Sequence, residues 1–367
     1  MPEVRLVDVS KRFGDVKALD HVSFHVRDGE YVSLIGPSGC GKTTALRIIA
    51  GLLRPDEGTV YIDGEVVNDV PPEDREIGFV FQNYALFPHM TLWGNTVYGP
   101  TVKGWNPETV KRLAREMLAM VHLTGREGSY PHELSGGMQQ RAALARALAS
   151  GAKLLLLDEP LAALHARLRA ELRYELRRLS EDLGLTVIHV THDQEEAMTL
   201  SDRIIILRRG CLEQAGTPEE VYFNPKTPFV ANFIGEANFF EGYVMKKARE
   251  GSYVAIRGDL ILQASDGGFQ EEERVALAVK PEFISLESPA PGDVNLIPGR
   301  VEHIRFIGSF IRYEVRLVNE DIISVRVTVE SKPYLKVGDE VSLRFNPARI
   351  HVFPYPREGL MEATRVE

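Results

Sequence analysis

A glycine-rich loop between a short apolar run and a helical pattern constrains this chain more than any other feature. The run Tyr31–Ile35 predicts a buried strand, and residues 45–50 predict a helix that ends at Gly51. Between them lies a Gly-x-x-x-x-Gly-Lys-Thr match made up of Gly36, Pro37, Ser38, Gly39, Cys40, Gly41, Lys42, Thr43 and Thr44. Such a loop turns backbone N–H groups inward at a helix N-terminus. The sequence therefore predicts a nucleoside triphosphate site, with Lys42 on the β- and γ-phosphates and Thr43 on Mg²⁺.

Length and composition bound the class of protein. The 367 residues suffice for two or three domains, and 44% hydrophobic with 26% charged residues is typical of a soluble globular protein. A formal net charge of −9 argues against nucleic acid as the main partner. We expect neither a membrane-spanning segment nor a signal peptide. Two cysteines, Cys40 and Cys211, are typical of a reducing cytosol.

Polar residues follow three further predicted strands. They are Gln82 after residues 77–81, Asp158 and Glu159 after residues 154–157, and His192 after residues 186–190. Because ligands of α/β sheets bind where strands end, we expect these side chains at one crevice. Asp158 and Glu159 are adjacent, so they point to opposite faces and can do different work. His189 lies inside its strand and is predicted to be a packed core histidine.

A second anion site is predicted before residue 138. Ser135 is placed as the N-cap of an alanine-rich helix, and Gly136 and Gly137 follow it. Each glycine weakens a helix by about 1 kcal/mol, a cost that a closely approaching ligand would explain. Phe13 lies in a predicted turn ahead of the first loop, where it is either a minor core aromatic or a ligand contact.

These motifs, in this order, make residues 1–235 resemble the nucleotide-binding subunit of an ABC transporter. They correspond to the Walker A loop, the Q-loop at Gln82, the signature at residues 134–139, the Walker B strand ending at Glu159 and the H-loop at His192. The residues after Walker B and around His192 are similar to importer subunits. Residues 233–235 and 279–282 resemble the OB-type (TOBE) domain appended to such subunits.

The resemblance implies an α/β P-loop NTPase, an ABC ATPase cassette at residues 1–235 with a helical subdomain at about residues 92–150. An all-β, OB-like domain would occupy residues 236–367. The residues themselves agree, because segments 301–306, 310–318, 322–329 and 340–345 predict strands separated by turns.

The family pattern also implies roles for the site residues. Asp158, with Thr43 and Gln82, would hold Mg²⁺, and Glu159 would orient or deprotonate the attacking water. His192 and Gln82 would sense the γ-phosphate, and Phe13 would stack on adenine. Ser135, Gly136 and Gly137 would close over ATP held by a second copy, so that a homodimer shares two composite sites.

The same resemblance implies partners at the cytoplasmic face of the cell membrane. These are two integral-membrane permease subunits and, indirectly, a solute-binding protein, with no nucleic acid expected. Residues 83–90 are expected to form the groove for a permease helix, although a packed loop is the alternative. Residues 306–313 look more like iron- and polyamine-type than sugar-type importers, and all three substrates stay open.

Two local features have alternative interpretations. Residues 162–165 read Ala-Ala-Leu-His where the family commonly has Ser-x-Leu-Asp, which is either drift or altered coupling between the two sites. Cys40 lies among inward N–H groups beside Lys42, which would favour a reactive thiolate, unless it is merely a tolerated small residue.

Two other functions were weighed against transport. A soluble ABC ATPase of DNA repair would carry a long coiled coil between Walker A and Walker B, which the sequence does not predict. An OB-fold nucleic-acid-binding regulator would need a basic and aromatic run after residue 236, and the acidic balance argues against it.

Overall fold

The computed structural model describes residues 2–162, 165–247, 251–265, 267–288, 294–330 and 335–366. The chain divides into two compact units, Met1–Pro218 and Glu219–Glu367. The boundary between these units lies earlier in the chain than the predicted boundary between residues 235 and 236. The reason lies in the second unit, where Ala231 packs against Ala276, Ala278 and Phe353.

The first unit alternates strands and helices. Its strands are β1 (Val4–Phe13), β2 (Val16–Val26), β3 (Tyr31–Ile35), β4 (Glu57–Ile62), β5 (Glu65–Val66), β6 (Ile77–Val80), β7 (Leu154–Asp158), β8 (Thr186–Val190), β9 (Arg203–Arg208) and β10 (Cys211–Gly216). Its helices are α1 (Lys42–Ile49), α2 (Leu92–Val102), α3 (Pro107–Met120), α4 (Gly136–Ala149), α5 (Ala166–Asp182) and α6 (Gln194–Leu200). Short 3₁₀ helices lie at Pro72–Asp74 and Pro131–Glu133.

The central sheet of this unit has the strand order β10-β9-β3-β8-β7-β6, and β9 through β6 run parallel. Strands β3, β7 and β8 are buried along their whole length, as in parallel sheets covered on both faces. A second, antiparallel sheet has the order β2-β1-β4-β5. Because β3, β6, β7 and β8 are parallel, the residues that follow them meet at one edge.

The predicted helical subdomain consists of α2, α3 and α4. Asn106 caps α3 by accepting the N–H of Glu108, and Ser135 caps α4 by accepting that of Met138. The apolar faces of α3 and α4 share a buried cluster that includes Leu118 and Leu144. Among the residues that the structure describes, none of the helices combines the length and apolar character that a bilayer crossing requires.

The second unit is mostly β-structure. Its strands are β11 (Asn238–Lys247), β12 (Ser252–Ile256), β13 (Leu260–Ala264), β14 (Arg274–Val279), β15 (Ile284–Glu287), β16 (Leu296–Phe306), β17 (Phe310–Leu317), β18 (Ile322–Thr328), β19 (Glu340–Phe345) and β20 (His351–Pro354). Its helices are α7 (Pro218–Phe223), which begins at the junction, α8 (Pro228–Phe233) and α9 (Leu360–Ala363), with 3₁₀ helices at Pro281–Phe283 and Pro347–Arg349.

These strands form two antiparallel sheets with the orders β13-β12-β11-β14-β20 and β15-β19-β16-β17-β18. One core lies between them, since Phe240 and Leu277 of the first sheet are buried with Tyr313 and Leu343 of the second. The strands predicted after residue 300 correspond to β16–β19. The sheet built on β11 was not predicted strand by strand.

Candidate nucleotide site

The glycine-rich loop joins β3 to α1 in a conformation that requires glycine. Gly36, Gly39 and Gly41 have φ angles of 152°, 75° and 106°. A Cβ at Gly36 would lie 2.1 Å from the carbonyl oxygen of Leu207, and one at Gly41 would lie 2.3 Å from that of Ala18. Among the described residues, no side chain caps α1, so its first N–H groups remain for a ligand. The loop is therefore a preformed anion cradle.

Lys42 and Thr43 place a cation and a hydroxyl at this cradle. The Lys42 ammonium donates to the carbonyls of Gly36 at 2.8 Å and Pro37 at 2.9 Å. The Thr43 hydroxyl donates to Oδ1 of Asp158 at 3.0 Å. The cavity of about 280 Å³ beside them is lined by Ser38, Gly39, Gly41, Lys42, Thr43, Thr44, Glu159 and His192. Its walls therefore combine phosphate-binding groups with two of the predicted catalytic side chains.

Asp158 ends β7 and is 5% exposed. Burial raises the pKa of this carboxyl, and the Thr43 hydrogen bond and the nearby Arg47 partly offset that effect. A hydroxyl and a carboxylate side by side are oxygen ligands of the kind that Mg²⁺ takes together with substrate phosphates. These two residues thus fit the predicted metal site.

Glu159 brings two other predicted residues together. Its Oε2 accepts from Nε2 of Gln82 at 2.9 Å and lies 3.4 Å from Nδ1 of His192. Its backbone is left-handed, with φ of 47°, although Pro160 follows it. Such a conformation costs about 1–3 kcal/mol and occurs often at functional sites. The Glu159 N–H donates to the carbonyl of Val190 at 2.9 Å, which holds this strained residue at the end of β8.

Phe13 differs from its predicted position. It is the last residue of β1, paired with Val16, and the turn follows it at residues 14 and 15. It is 49% exposed, which rules out the core alternative. Its ring therefore remains available for stacking, although it does not line the cavity.

Of the two interpretations of Cys40, the structure favours a tolerated small residue over a reactive thiolate. It is 3% exposed, and burial raises the pKa of its thiol even though Lys42 Nζ lies 3.8 Å from its sulfur. The side chain points into the core beneath the loop, where the cost of desolvating a charge outweighs the attraction of the ammonium. Cys40 therefore takes part in the cradle through its backbone.

The signature residues do not line the cavity. Ser135 serves as the N-cap of α4, and Gly136 is exposed with open space around its Cα. The backbone at this helix start is therefore accessible. The sequence likewise predicts that these residues lie outside the cradle that contains Lys42 and contact ATP held by a second copy.

The segment after Gln82 is pinned by Asn95, which is fully buried in α2. Its Oδ1 accepts the N–H of Phe87 at 2.8 Å, and its Nδ2 donates to the carbonyls of Phe87, Met90 and Thr91. The Phe87 ring packs on Tyr98, with 4.7 Å between ring centroids. Sequence reasoning missed Asn95, because nothing in its own helix marks it as a partner of this loop.

His189 is a core histidine, as predicted. It is fully buried, its Nδ1 lies 3.0 Å from the Tyr31 hydroxyl, and burial lowers its pKa to about 3. In the loop that departs from the family pattern, residues 163 and 164 lie outside the described residues. His165 is exposed and precedes α5, where its carbonyl accepts the N–H of Arg169.

Comparison with known proteins agrees with this geometry. Residues 19–162 match the ABC transporter family, and residues 277–353 match the TOBE domain. The chain is 40% identical over 349 residues to the spermidine/putrescine import ATP-binding protein PotA of Acetivibrio thermocellus, covering 95% of this chain and 96% of the relative. It is 44% identical over 320 residues to the protein of the same name from Acidothermus cellulolyticus, covering 86% and 84%.

A solved structure matches the cassette in three dimensions. It is a dimeric, post-hydrolysis state of the ATP-binding cassette MJ0796 bound to ADP and Pi. The TM-score is 0.54 at 37% identity, over 59% of this chain and 98% of that one. The similarity thus spans a complete cassette and, in the curated relatives, nearly the whole chain. The chain belongs to the ABC transporter family, as an ATPase cassette subunit that carries a TOBE domain.

Proposed function

We propose that this chain binds Mg-ATP at the glycine-rich loop and hydrolyses it to drive polyamine import through membrane permease subunits. The observation that carries the proposal is the meeting of Gln82 and His192 on Glu159 at the rim of the phosphate cradle. A base held by two polar neighbours beside a phosphate site supports hydrolysis rather than binding alone.

Nucleotide binding is assigned to the loop and its helix. The inward N–H groups and Lys42 would hold the phosphates, and Thr43 and Asp158, 3.0 Å apart, would hold Mg²⁺, with Gln82 as a further ligand. The metal supplies charge neutralisation on the phosphate oxygens. The exposed ring of Phe13 would stack on adenine, a contact worth roughly 1–3 kcal/mol for other bases on aromatic side chains.

Hydrolysis is assigned to Glu159. Both of its neighbours contact Oε2, so Oε1 is the oxygen that would orient the attacking water and accept its proton. The strained backbone and the hydrogen bond from Gln82 fix the direction of this carboxylate before substrate arrives. His192, which lines the same cavity beside Glu159, would contact the γ-phosphate.

Two copies would share two composite sites. Ser135, Gly136 and Gly137 lie at the N-terminus of α4 and do not line the cavity beside Lys42, which suits contact with ATP held by a second copy. The dimeric state of the related solved cassette supports this arrangement. ATP binding would close the dimer and hydrolysis would open it.

Coupling to the membrane is assigned to residues 83–90. The segment that Asn95 pins presents the half-buried Phe87 beside exposed Pro88 and His89. An apolar residue on a loop of fixed shape can receive a permease helix at the cytoplasmic face of the membrane. A solute-binding protein would act on the far side of the same two permease subunits.

Polyamine is the substrate class that the named relatives support, because they match 95% and 86% of this chain, TOBE domain included. Deletion of the gene in its host should abolish uptake of labelled spermidine or putrescine. The wild-type gene should restore uptake, and the Glu159→Gln gene should not. Labelled ferric iron and maltose serve as controls. Loss of iron or maltose uptake with polyamine uptake intact would contradict the proposal.

A further inference from the structure

A buried carboxylate four residues after His192 has no role in the proposed binding and hydrolysis of ATP. Glu196 belongs to α6 and is 2% exposed, and it does not line the cavity. Burying a carboxylate is costly unless the surroundings compensate for it, so a position like this calls for a reason. Capping of α6 is not that reason, because Asp193 Oδ1 already accepts the N–H groups of Glu195 and Glu196.

The carboxylate acts on the turn that contains His192. The Thr191 hydroxyl donates to Oε2 of Glu196 at 2.6 Å and accepts the N–H of Asp193 at 3.0 Å. A hydroxyl has a single hydrogen, so its donation to Glu196 leaves the lone pairs facing the Asp193 N–H. The two bonds clamp the residues on either side of His192. This fixes the backbone that presents the imidazole to Glu159.

Arg169 ties the same turn to α5. Its Nη1 lies 3.1 Å from Oδ2 of Asp193, and its Nε lies 3.8 Å from Oε1 of Glu196. On the other side, the neutral His189 ring has Nε2 at 3.7 Å from Oε2 of Glu196. Helix α5 starts at residue 166, directly after the loop that departs from the family pattern. Residues of helix α5 and strand β8 thus approach the turn around His192 and Glu196 from two sides.

We propose that Glu196 is a positioning residue for His192, which it orients through the Thr191 hydroxyl. The inference rests on the catalytic role proposed above for His192. Glu196 does not line the cavity beside the glycine-rich loop, so its loss should leave ATP affinity intact and slow the chemical step.

Paired substitutions of the full-length protein separate acceptor from volume. Glu196→Leu fills the space without an acceptor, and should lower kcat about tenfold with KM for ATP within about twofold. Glu196→Gln keeps an oxygen for the Thr191 hydroxyl, and should stay within about threefold of wild type. Thr191→Val should lower kcat as much as Glu196→Leu does. Thr191→Ser keeps the hydroxyl and should therefore have nearly the wild-type kcat. Glu195→Gln, an exposed carboxylate on the same helix, is the matched control and should change nothing.

A double-mutant cycle with His192→Ala decides whether the effect passes through the imidazole. If Glu196 acts through His192, adding Glu196→Leu to His192→Ala should slow hydrolysis by less than about twofold further. Should Glu196→Leu fail to fold by circular dichroism, Thr191→Val takes its place in the cycle. A full tenfold loss in the His192→Ala background, or a Glu196→Gln variant as slow as Glu196→Leu, overturns the inference about Glu196 and leaves the proposed role of His192 unaffected. A His192→Ala protein at the wild-type rate overturns the proposed role of His192 and, with it, the inference.

Discussion

Nε2 of Gln82 lies 2.9 Å from Oε2 of Glu159, although 77 positions separate the two residues in the chain. The contact arises because β6 and β7 are neighbouring parallel strands that end at the same edge. The residue that follows one strand thereby positions the carboxylate, proposed here as the base, that follows the neighbouring strand.

Gln82→Ala should lower kcat by roughly 10–100-fold, since an oriented base loses its neighbour. KM for ATP should rise by less than about threefold, because Gln82 does not line the phosphate cavity and Thr43 and Asp158 remain to hold Mg²⁺. Steady-state ATPase kinetics measure both values. Asn83→Ala, an exposed neighbour, is the control. A Gln82→Ala protein with normal kcat and weakened ATP binding would show that Gln82 is a nucleotide ligand only.

Asp158→Asn should stabilise the protein in the absence of Mg²⁺ and nucleotide while abolishing hydrolysis. Asparagine keeps an acceptor for the Thr43 hydroxyl and removes a buried charge, so we expect Tm to rise by about 2–4 °C at pH 7. Burial raises the pKa of Asp158 in the folded state, so its charged form opposes folding, and this destabilisation is relieved as the carboxyl is protonated at falling pH.

The stability difference between the two proteins should therefore be largest at neutral pH and shrink toward acidic pH. Thermal unfolding at a series of pH values measures it. A Tm difference that grows as the pH falls would contradict the assigned direction of the Asp158 pKa.

Maleimide should label Cys211 and leave both Cys40 and ATPase activity intact. The pKa of both thiols is raised, but Cys211 is exposed at the start of β10 and can be reached by the reagent, whereas Cys40 is buried. Mass spectrometry of the labelled protein distinguishes the two sites, and Cys211→Ser should take up almost no label. Rapid labelling of Cys40 with loss of activity would restore the thiolate expected from the sequence.

Phe87→Glu should abolish co-purification with the permease and transport, and leave ATPase activity of the isolated protein near wild type. Phe87 contacts Tyr98 and the Arg146 guanidinium at the surface of the helical subdomain. Val102→Glu is the control, since Val102 is a 70% exposed apolar residue at the end of the same helix as Tyr98. If Phe87→Glu unfolds the protein, the segment is a packed loop rather than a docking groove.

Much of the cavity beside the glycine-rich loop could be predicted because its residues follow mainly apolar runs. Strands β3, β7 and β8 are fully buried, so their sequences are mostly apolar, and each is followed by residues of the predicted site. The turn made by the loop glycines could be predicted as well, because their positive φ angles strongly favour glycine.

Side-chain direction was harder to predict than position. The sequence shows that Cys40 lies in the loop, but only the fold shows that its sulfur points into the core. The left-handed backbone of Glu159 has no local signal, because Pro160 by itself predicts an extended residue before it. In the second unit, burial alternates along β11, but residue type does not follow it, because Asn238 and Gly242 are buried while Tyr243 and Met245 are exposed. Its pairing with β14 is a long-range contact that the local sequence does not show.

Glu159 is proposed as the base for hydrolysis, and the Glu159→Gln variant tests this role most directly. Glutamine keeps the shape of the side chain but cannot accept the proton, so turnover should fall by roughly 10²–10⁴-fold with ATP binding retained. Measured by single-turnover hydrolysis and size-exclusion chromatography with light scattering, the variant should accumulate as an ATP-bound dimer. A Glu159→Gln protein that hydrolyses ATP at the wild-type rate would contradict the claim.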